Sequence, residues 1–369
     1  MNDIVNPKMI WVEDRHYRIY ATKNKNDTTY KEPLEEEDIK YHQTEMDKDV
    51  FDINITKNGD LFEMDFQIPD ICLGFVIGKN ASNLKRIENQ TQTQLLINKA
   101  KIKKNLVDKT KTIIKGKLEK NLILARNMIE QSIQKYRNIC TPTHFVSLPL
   151  NVPSIQSNFE LFKQEILEKY AKDKGINEHL FQAPQKLHLT LVMLKLLDQE
   201  EVDKCAKVLK DCYEDCLKKI INGKVLRVRL KGIDYMNDDP SDVHVLYAKV
   251  DPFSDLDRVQ SIADMIVDRL VRECIIEKRL ENLKLHATVM ISQHKEIDAS
   301  TQNMPDESHT RNFRSNKPPP RESFDARNIL KDLAQYDFGE TEIPCLHLSK
   351  RFAVDKDGYY LPALVLDLE

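Results

Sequence analysis

From Leu61 onward the chain alternates, with Phe62, Met64, Phe66 and Ile68 on one side and Glu63, Asp65 and Gln67 on the other. That two-residue period predicts a half-buried strand. Next, "DICLGFVI" reads as a short helix, "GKN" as a tight turn and "SNLKRIENQ" as a second helix. "TQLLI" and "KTIIKGK" are strands, and a long helix follows with Leu118, Leu122, Ala125, Met128, Ile129 and Ile133 on one stripe. The order strand, helix, helix, strand, strand, helix fills residues 56–138.

A second region covers 143–369. "THFVSLPL" predicts a strand, and "SNFELFKQEILEKYAKD" a helix with Phe159, Phe162, Ile166 and Tyr170 on one face. "KLHLTLVML" is a strand, followed by a helix on which Val202, Cys205, Leu209, Cys212 and Cys216 recur at helical spacing. "KVLRVRLKGIDYM" and "DVHVLYAKV" are strands parted by the turn "NDDPS". "LDRVQSIADMIVDRLVREC" is a helix and "KLHATVMI" another strand. A polar stretch at 292–322 with three successive prolines reads as a flexible loop. "FDARNILKDLAQY" then starts a helix capped by Asp325 or Ser323, and "LHLSKRF" and "YLPALVLDL" close the chain as strands. Residues 1–55 are polar and expected to be largely disordered, apart from an apolar island around Ile10 to Tyr20. That island is expected to dock on a partner or on the body of the protein.

Composition sharpens this picture in three places. The chain has 369 residues, 41% of them hydrophobic, enough for two or three cores. It contains no run of about 18 apolar residues and no secretory leader, so the nucleus is expected, or the cytosol. Its seven cysteines include no Cys-x-x-Cys, which fits a reducing compartment and core side chains better than metal ligands. The net charge of -3 gives no global pull toward nucleic acid, but Asn98–Lys117 is strongly basic, with Lys99, Lys101, Lys103 and Lys104 after a strand.

The chemistry lies in a repeat: Lys-Leu-His-x-Thr begins at Lys186 and again at Lys284. Alternation puts Leu187, Leu189 and Leu191 inside, so Lys186, His188 and Thr190 share the outer face. Lys284, His286 and Thr288 do the same in the second copy, outside Leu285, Ala287 and Val289. Two imidazoles across one cleft suit phosphodiester chemistry, one taking a proton from the attacking oxygen and one giving a proton to the leaving oxygen. Thr hydroxyls suit the non-bridging oxygens, where charge gathers in the transition state. This pattern needs neither metal nor cofactor. His144, His244 and His347 also fall on predicted strands without such a pattern and read as structural.

These segments resemble two known families. "FVIGKNASNLKRIENQTQTQLLI" resembles the core of a KH domain, whose Gly-x-x-Gly loop clamps the backbone of about four nucleotides. Gly78, Lys79, Asn80 and Ala81 fall on that loop and are implied as RNA-binding residues, with Ala81 where the second glycine belongs. His188-Leu-Thr190 and His286-Ala-Thr288 match the H-x-[ST] signature of the two-histidine phosphoesterases. That resemblance implies a bilobal pseudo-symmetric α/β (α+β) fold after a KH domain, with the histidines catalytic, the threonines phosphate-binding and no metal. Together with "GIDYMNDDP" and "RESFDARNIL", the combination resembles KH-containing subunits of the activating signal cointegrator complex. It implies RNA and helicase-subunit partners, transcription coactivation and the DNA-alkylation response in the nucleus. A non-catalytic adaptor that only binds RNA ends remains open at this point.

Overall fold

The computed structural model describes residues 9–12, 15–18, 54–97, 109–277, 284–292 and 322–368. The basic stretch from Lys99 to Lys104, most of the 292–322 loop and most of the N-terminal arm lie outside the described residues. In the arm, β1 (Met9–Val12) and β2 (Arg15–Arg18) pair antiparallel as a hairpin, with Trp11 opposite His16. This hairpin belongs to one compact unit, Met1–Asp52, and Ile53–Glu369 is a second.

The second unit begins with β3 (Ile55–Asn58) and β4 (Leu61–Pro69), then α1 (Asp70–Ile77) and α2 (Ser82–Thr91). It continues with β5 (Thr93–Ile97), β6 (Lys109–Gly116) and α3 (Glu119–Ile139). The strands form one four-stranded antiparallel sheet in the order β3-β4-β6-β5. Met64 and Ile68 pack from the sheet against Cys72, Val76, Ile87, Leu122, Ala125 and Ile129 of the helices. Leu118 departs from the predicted stripe: it caps α3 in an extended conformation and is 49% exposed. The edge strand β3 escaped the sequence pattern because only Ile55 is even partly buried, which leaves no alternation to read.

The larger part runs β7 (His144–Pro149), α4 (Pro153–Tyr170), β8 (His188–Leu194), α5 (Gln199–Cys212) and α6 (Lys218–Ile221). One turn of π-helix, Tyr213–Leu217, joins α5 to α6. Then come β9 (Arg227–Tyr235), β10 (Val245–Val250), α7 (Leu256–Arg272), β11 (His286–Ile291) and α8 (Arg327–Leu333). Three strands finish the chain: β12 (Asp337–Glu342), β13 (Cys345–Val354) and β14 (Tyr360–Asp367). All the strands from β7 onward form one eight-stranded antiparallel sheet, β12-β9-β10-β11-β8-β7-β13-β14. The apolar stripes of α4 and α7 bury against it, with the Phe162 ring 5.0 Å from that of Phe338. Cys205 and Cys212 are buried in this core, as the helical spacing predicts. The cap of α8 differs from expectation. Ala326 is the cap residue, and the Asp325 carboxylate accepts from the Arg327 N–H at 3.0 Å. Among the described residues no helix is long and apolar enough to cross a membrane.

The loop that leaves β8 fastens the two sheets together. Leu197 is buried in the core of the four-stranded part. Arg137, at the end of α3, donates to the Lys195 carbonyl at 2.7 Å and forks onto the Glu201 carboxylate. Lys195 returns the contact by donating to the Arg137 and Asn138 carbonyls at 2.7 and 2.9 Å. Such a planar bidentate pair fixes orientation as well as adding energy.

Candidate functional site

The two histidine motifs lie side by side at the centre of the eight-stranded sheet, with Ala287 paired opposite Leu189. The sequence pattern suggests strands facing each other across a cleft; the sheet instead makes them antiparallel neighbours. In that register His286 stands abreast of Thr190, and Thr288 abreast of His188. Each imidazole is thereby flanked by the other motif's hydroxyl. Leu189 and Ala287 point into the core and are fully buried, which holds all four polar side chains on the opposite face. Beyond this pair Phe181 bridges to Met290, and the Gln182 N–H donates to the Val289 carbonyl at 3.0 Å. The halves β12-β9-β10-β11 and β8-β7-β13-β14 therefore meet at the two motifs.

Both lysines of the repeat sit just ahead of the strands, not on them, Lys186 in a single 3-10 turn from Pro184. Their carbonyls do the anchoring. His188 Nδ1 is 2.6 Å from the Lys186 carbonyl oxygen, and His286 Nδ1 is 2.7 Å from that of Lys284. A carbonyl can only accept, so Nδ1 carries the proton and Nε2 is left as the basic nitrogen in each ring. Among the described residues, neither Thr190 nor Thr288 spends its hydroxyl on another hydrogen bond.

The surroundings of the two rings differ. His188 packs against Phe145 at 5.1 Å and Tyr360 at 5.5 Å, with Tyr359 at 6.4 Å between ring centroids. Burial drives its pKa down to about 4, opposed by the Lys186 carbonyl and reinforced by His286. His286 lies 5.0 Å from the ring of Tyr247. Its pKa is also lowered by burial, with the Lys284 carbonyl opposing and the Lys284 charge adding to the fall. The Tyr247 hydroxyl donates to Asp234 at 3.0 Å, and Lys284 binds both, reaching Asp234 at 3.3 Å. Burial opposes ionisation of Asp234, yet the Tyr235 N–H, the Tyr247 hydroxyl and Lys284 hold its carboxyl below the usual range.

Sequence reasoning missed Tyr247, Tyr360 and Asp234. Tyr247 was within reach, because it alternates with Lys249 in "VLYAKV" and pairs opposite Thr288. Of the remaining histidines, His144 and His347 lie on β7 and β13, and His244 falls just before β10. Burial lowers the pKa of His144 to about 4, with Lys350 adding to the effect.

The predicted loop joins α1 to α2. Gly78 has φ 73°, and a Cβ there would fall 3.0 Å from the backbone nitrogen of Asn83. Asn83 spans the loop by donating to the Val76 carbonyl at 3.0 Å. Lys79 and Asn80 are exposed at the tip. Ala81 adopts φ 60°, ψ 26°, the left-handed conformation natural to the glycine it replaces. Ala81→Gly is therefore expected to stabilise the protein by about 1 kcal/mol. A chemical-denaturation midpoint at or below that of the unaltered chain would contradict this.

A KH loop between two helices of the four-stranded part and paired H-x-T strands in the eight-stranded sheet define a KH domain joined to a two-histidine phosphoesterase-like domain. The sequence bears this out, matching the KH domain over residues 63–131 and the AKAP7 2'5' RNA ligase-like domain over 142–368, and the chain belongs to this latter family. It is 33% identical over 365 residues to mouse "Activating signal cointegrator 1 complex subunit 1", covering 97% of each chain. The crystal structure of TT0787 from Thermus thermophilus matches 61% of this chain and 97% of its own, with TM-score 0.35 and 16% identity. E. coli LigT complexed with NADP+ matches 62% of this chain and 97% of its own, with TM-score 0.32 and 12% identity.

Proposed function

We propose that this chain is a metal-independent RNA phosphodiesterase whose KH domain holds the RNA that its histidine pair acts on. The observation that carries the reading is the antiparallel interlock of the two H-x-T motifs, with Nε2 of each ring left as the basic nitrogen. His188, enclosed by aromatic rings, is the neutral base. It takes the proton of the attacking hydroxyl, either a 2′-OH beside the scissile bond or water. His286, protonated, gives its proton to the leaving oxygen as the P–O bond breaks. Thr190 and Thr288 donate to the non-bridging oxygens, and Gly78, Lys79, Asn80 and Ala81 bind the backbone upstream or downstream. The relationship to the mouse subunit supports membership of an activating signal cointegrator complex, and we extend the proposal to a nuclear role there beside a helicase, in coactivation and the alkylation-damage response.

A second reading, favoured by Ala81 at the glycine position, keeps the histidine pair as an RNA-end-binding site of an adaptor without turnover. A defined RNA panel separates the two, with internal 3′–5′ and 2′–5′ bonds, cyclic phosphates and 3′ ends, and with the terminal phosphates of the products identified. Turnover that persists in EDTA is expected. Binding without any product would leave the adaptor, and abolition by the chelator would remove the metal-free mechanism.

A further inference from the structure

The repeated lysines occupy equivalent places, yet only one of them is neutralised. Each ammonium lies over a tyrosine that flanks its own motif's histidine: Lys186 is 5.3 Å from the centre of Tyr360, and Lys284 is 5.0 Å from that of Tyr247. Lys284 is bound to the Tyr247 hydroxyl and to the Asp234 carboxylate. Lys186 pairs with no carboxylate among the described residues, and neither does Arg351, whose charge reaches the same Tyr360. Arg351 donates weakly to the Pro142 carbonyl at 3.4 Å and lies 5.1 Å from the centre of the Phe352 ring. The β8 side of the reaction centre thus offers unspent positive charge over an aromatic face. The β11 side presents a carboxylate that cancels its lysine.

An RNA bond inside a chain carries a further phosphate on each side, whereas the last bond of a chain carries one on one side alone. A flanking phosphate gains a charge-assisted bond at an unpaired ammonium and gains little at an ammonium that a carboxylate already neutralises. We propose that Lys186 binds the phosphate next to the scissile one, and that Asp234 denies the equivalent place to a second. The substrate is then an RNA terminus, its last nucleotide lying on the β11 side. This rests on the phosphodiesterase reading and names the substrate class for that site.

The test pairs protein variants with substrate variants in the full chain. A dinucleotide is compared with the same dinucleotide bearing one extra phosphate at its 5′ end, or at its 3′ end. It is shorter than the about four nucleotides a KH loop clamps, so the KH domain favours neither form. In the unaltered protein the extra phosphate at one end should raise kcat/KM about tenfold, and at the other end it should give no gain. Lys186→Ala, and Lys186→Gln with most of the stem kept, should bring that ratio to about one, whatever they do to the absolute rate. Asp234→Asn should let the phosphate at the other end gain as well. Equal gains at both ends, or a ratio unchanged without Lys186, would overturn the proposal. If no dinucleotide is turned over, the phosphodiesterase reading fails, and the same ratios taken as dissociation constants on His286→Ala protein still decide whether Lys186 holds the phosphate.

Discussion

Replacing His188 or His286 by alanine is expected to lower turnover by about 10²–10⁴-fold, the usual contribution of a positioned acid or base. Each ring lies on the face of the sheet opposite Leu189 and Ala287, packed against tyrosines and hydrogen-bonded through its own Nδ1 to a carbonyl two residues earlier. Removing it leaves Leu189 and Ala287 buried as before, so the fold should persist. The measurement is kcat on the RNA form that the panel identifies, with circular dichroism and a melting curve confirming that each variant is folded. The double variant should lose little more than either single one, because base and acid act in the same step and their losses do not add. Full activity in either single variant would remove the two-histidine mechanism.

Activity should peak on the acid side of pH 6.5. Productive protein has one imidazole neutral and the other protonated, and both pKa values are lowered by burial, that of His188 to about 4. The rising limb of kcat/KM is then set near pH 4 and the falling limb below the ordinary histidine value of about 6.5. Above the falling limb each pH unit costs about tenfold, so about two units above it the rate is down roughly a hundredfold. Exchanging the roles of the two rings gives a curve of the same shape, because the pair titrates as a unit. A falling limb above pH 7.5 would contradict the burial of both rings.

Acid also acts on stability, and with a definite sign. His188 and His144 have folded pKa values depressed to about 4, so the unfolded chain takes up their protons first as pH falls. Their contribution is fully present above about pH 6.5 and is lost as the pH drops toward 4. The rising limb of activity must therefore be read together with the folded fraction.

Much of this protein is legible in its residues, and the reason is local. Period-two alternation in "LFEMDFQIP" and "KLHLTLVML" is dictated by the strand itself, so faces and core positions such as Leu189 and Met64 follow from the letters alone. Where no pattern exists, nothing could be read. The strand β12, "DFGETE", is broken by Gly339 at φ 102°, and its burial rests on Phe338 and Thr341. The motif histidines, the threonines and the turn at Gly78 likewise come from the chain's own order.

The site itself required the tertiary structure. That the motifs are antiparallel neighbours, with each Thr beside the other motif's His, depends on register between strands separated by some ninety residues of sequence, which local preference does not encode. The same holds for the difference between the two histidines. Two identical five-residue patterns receive unequal surroundings because β13 and β14 bring Tyr359 and Tyr360 to one, while β9 and β10 bring Asp234 and Tyr247 to the other. Sequence by itself determined which groups could do the chemistry. Packing decided which ring is enclosed and which lysine keeps its charge, because burial and ion pairing are set by residues far away along the chain.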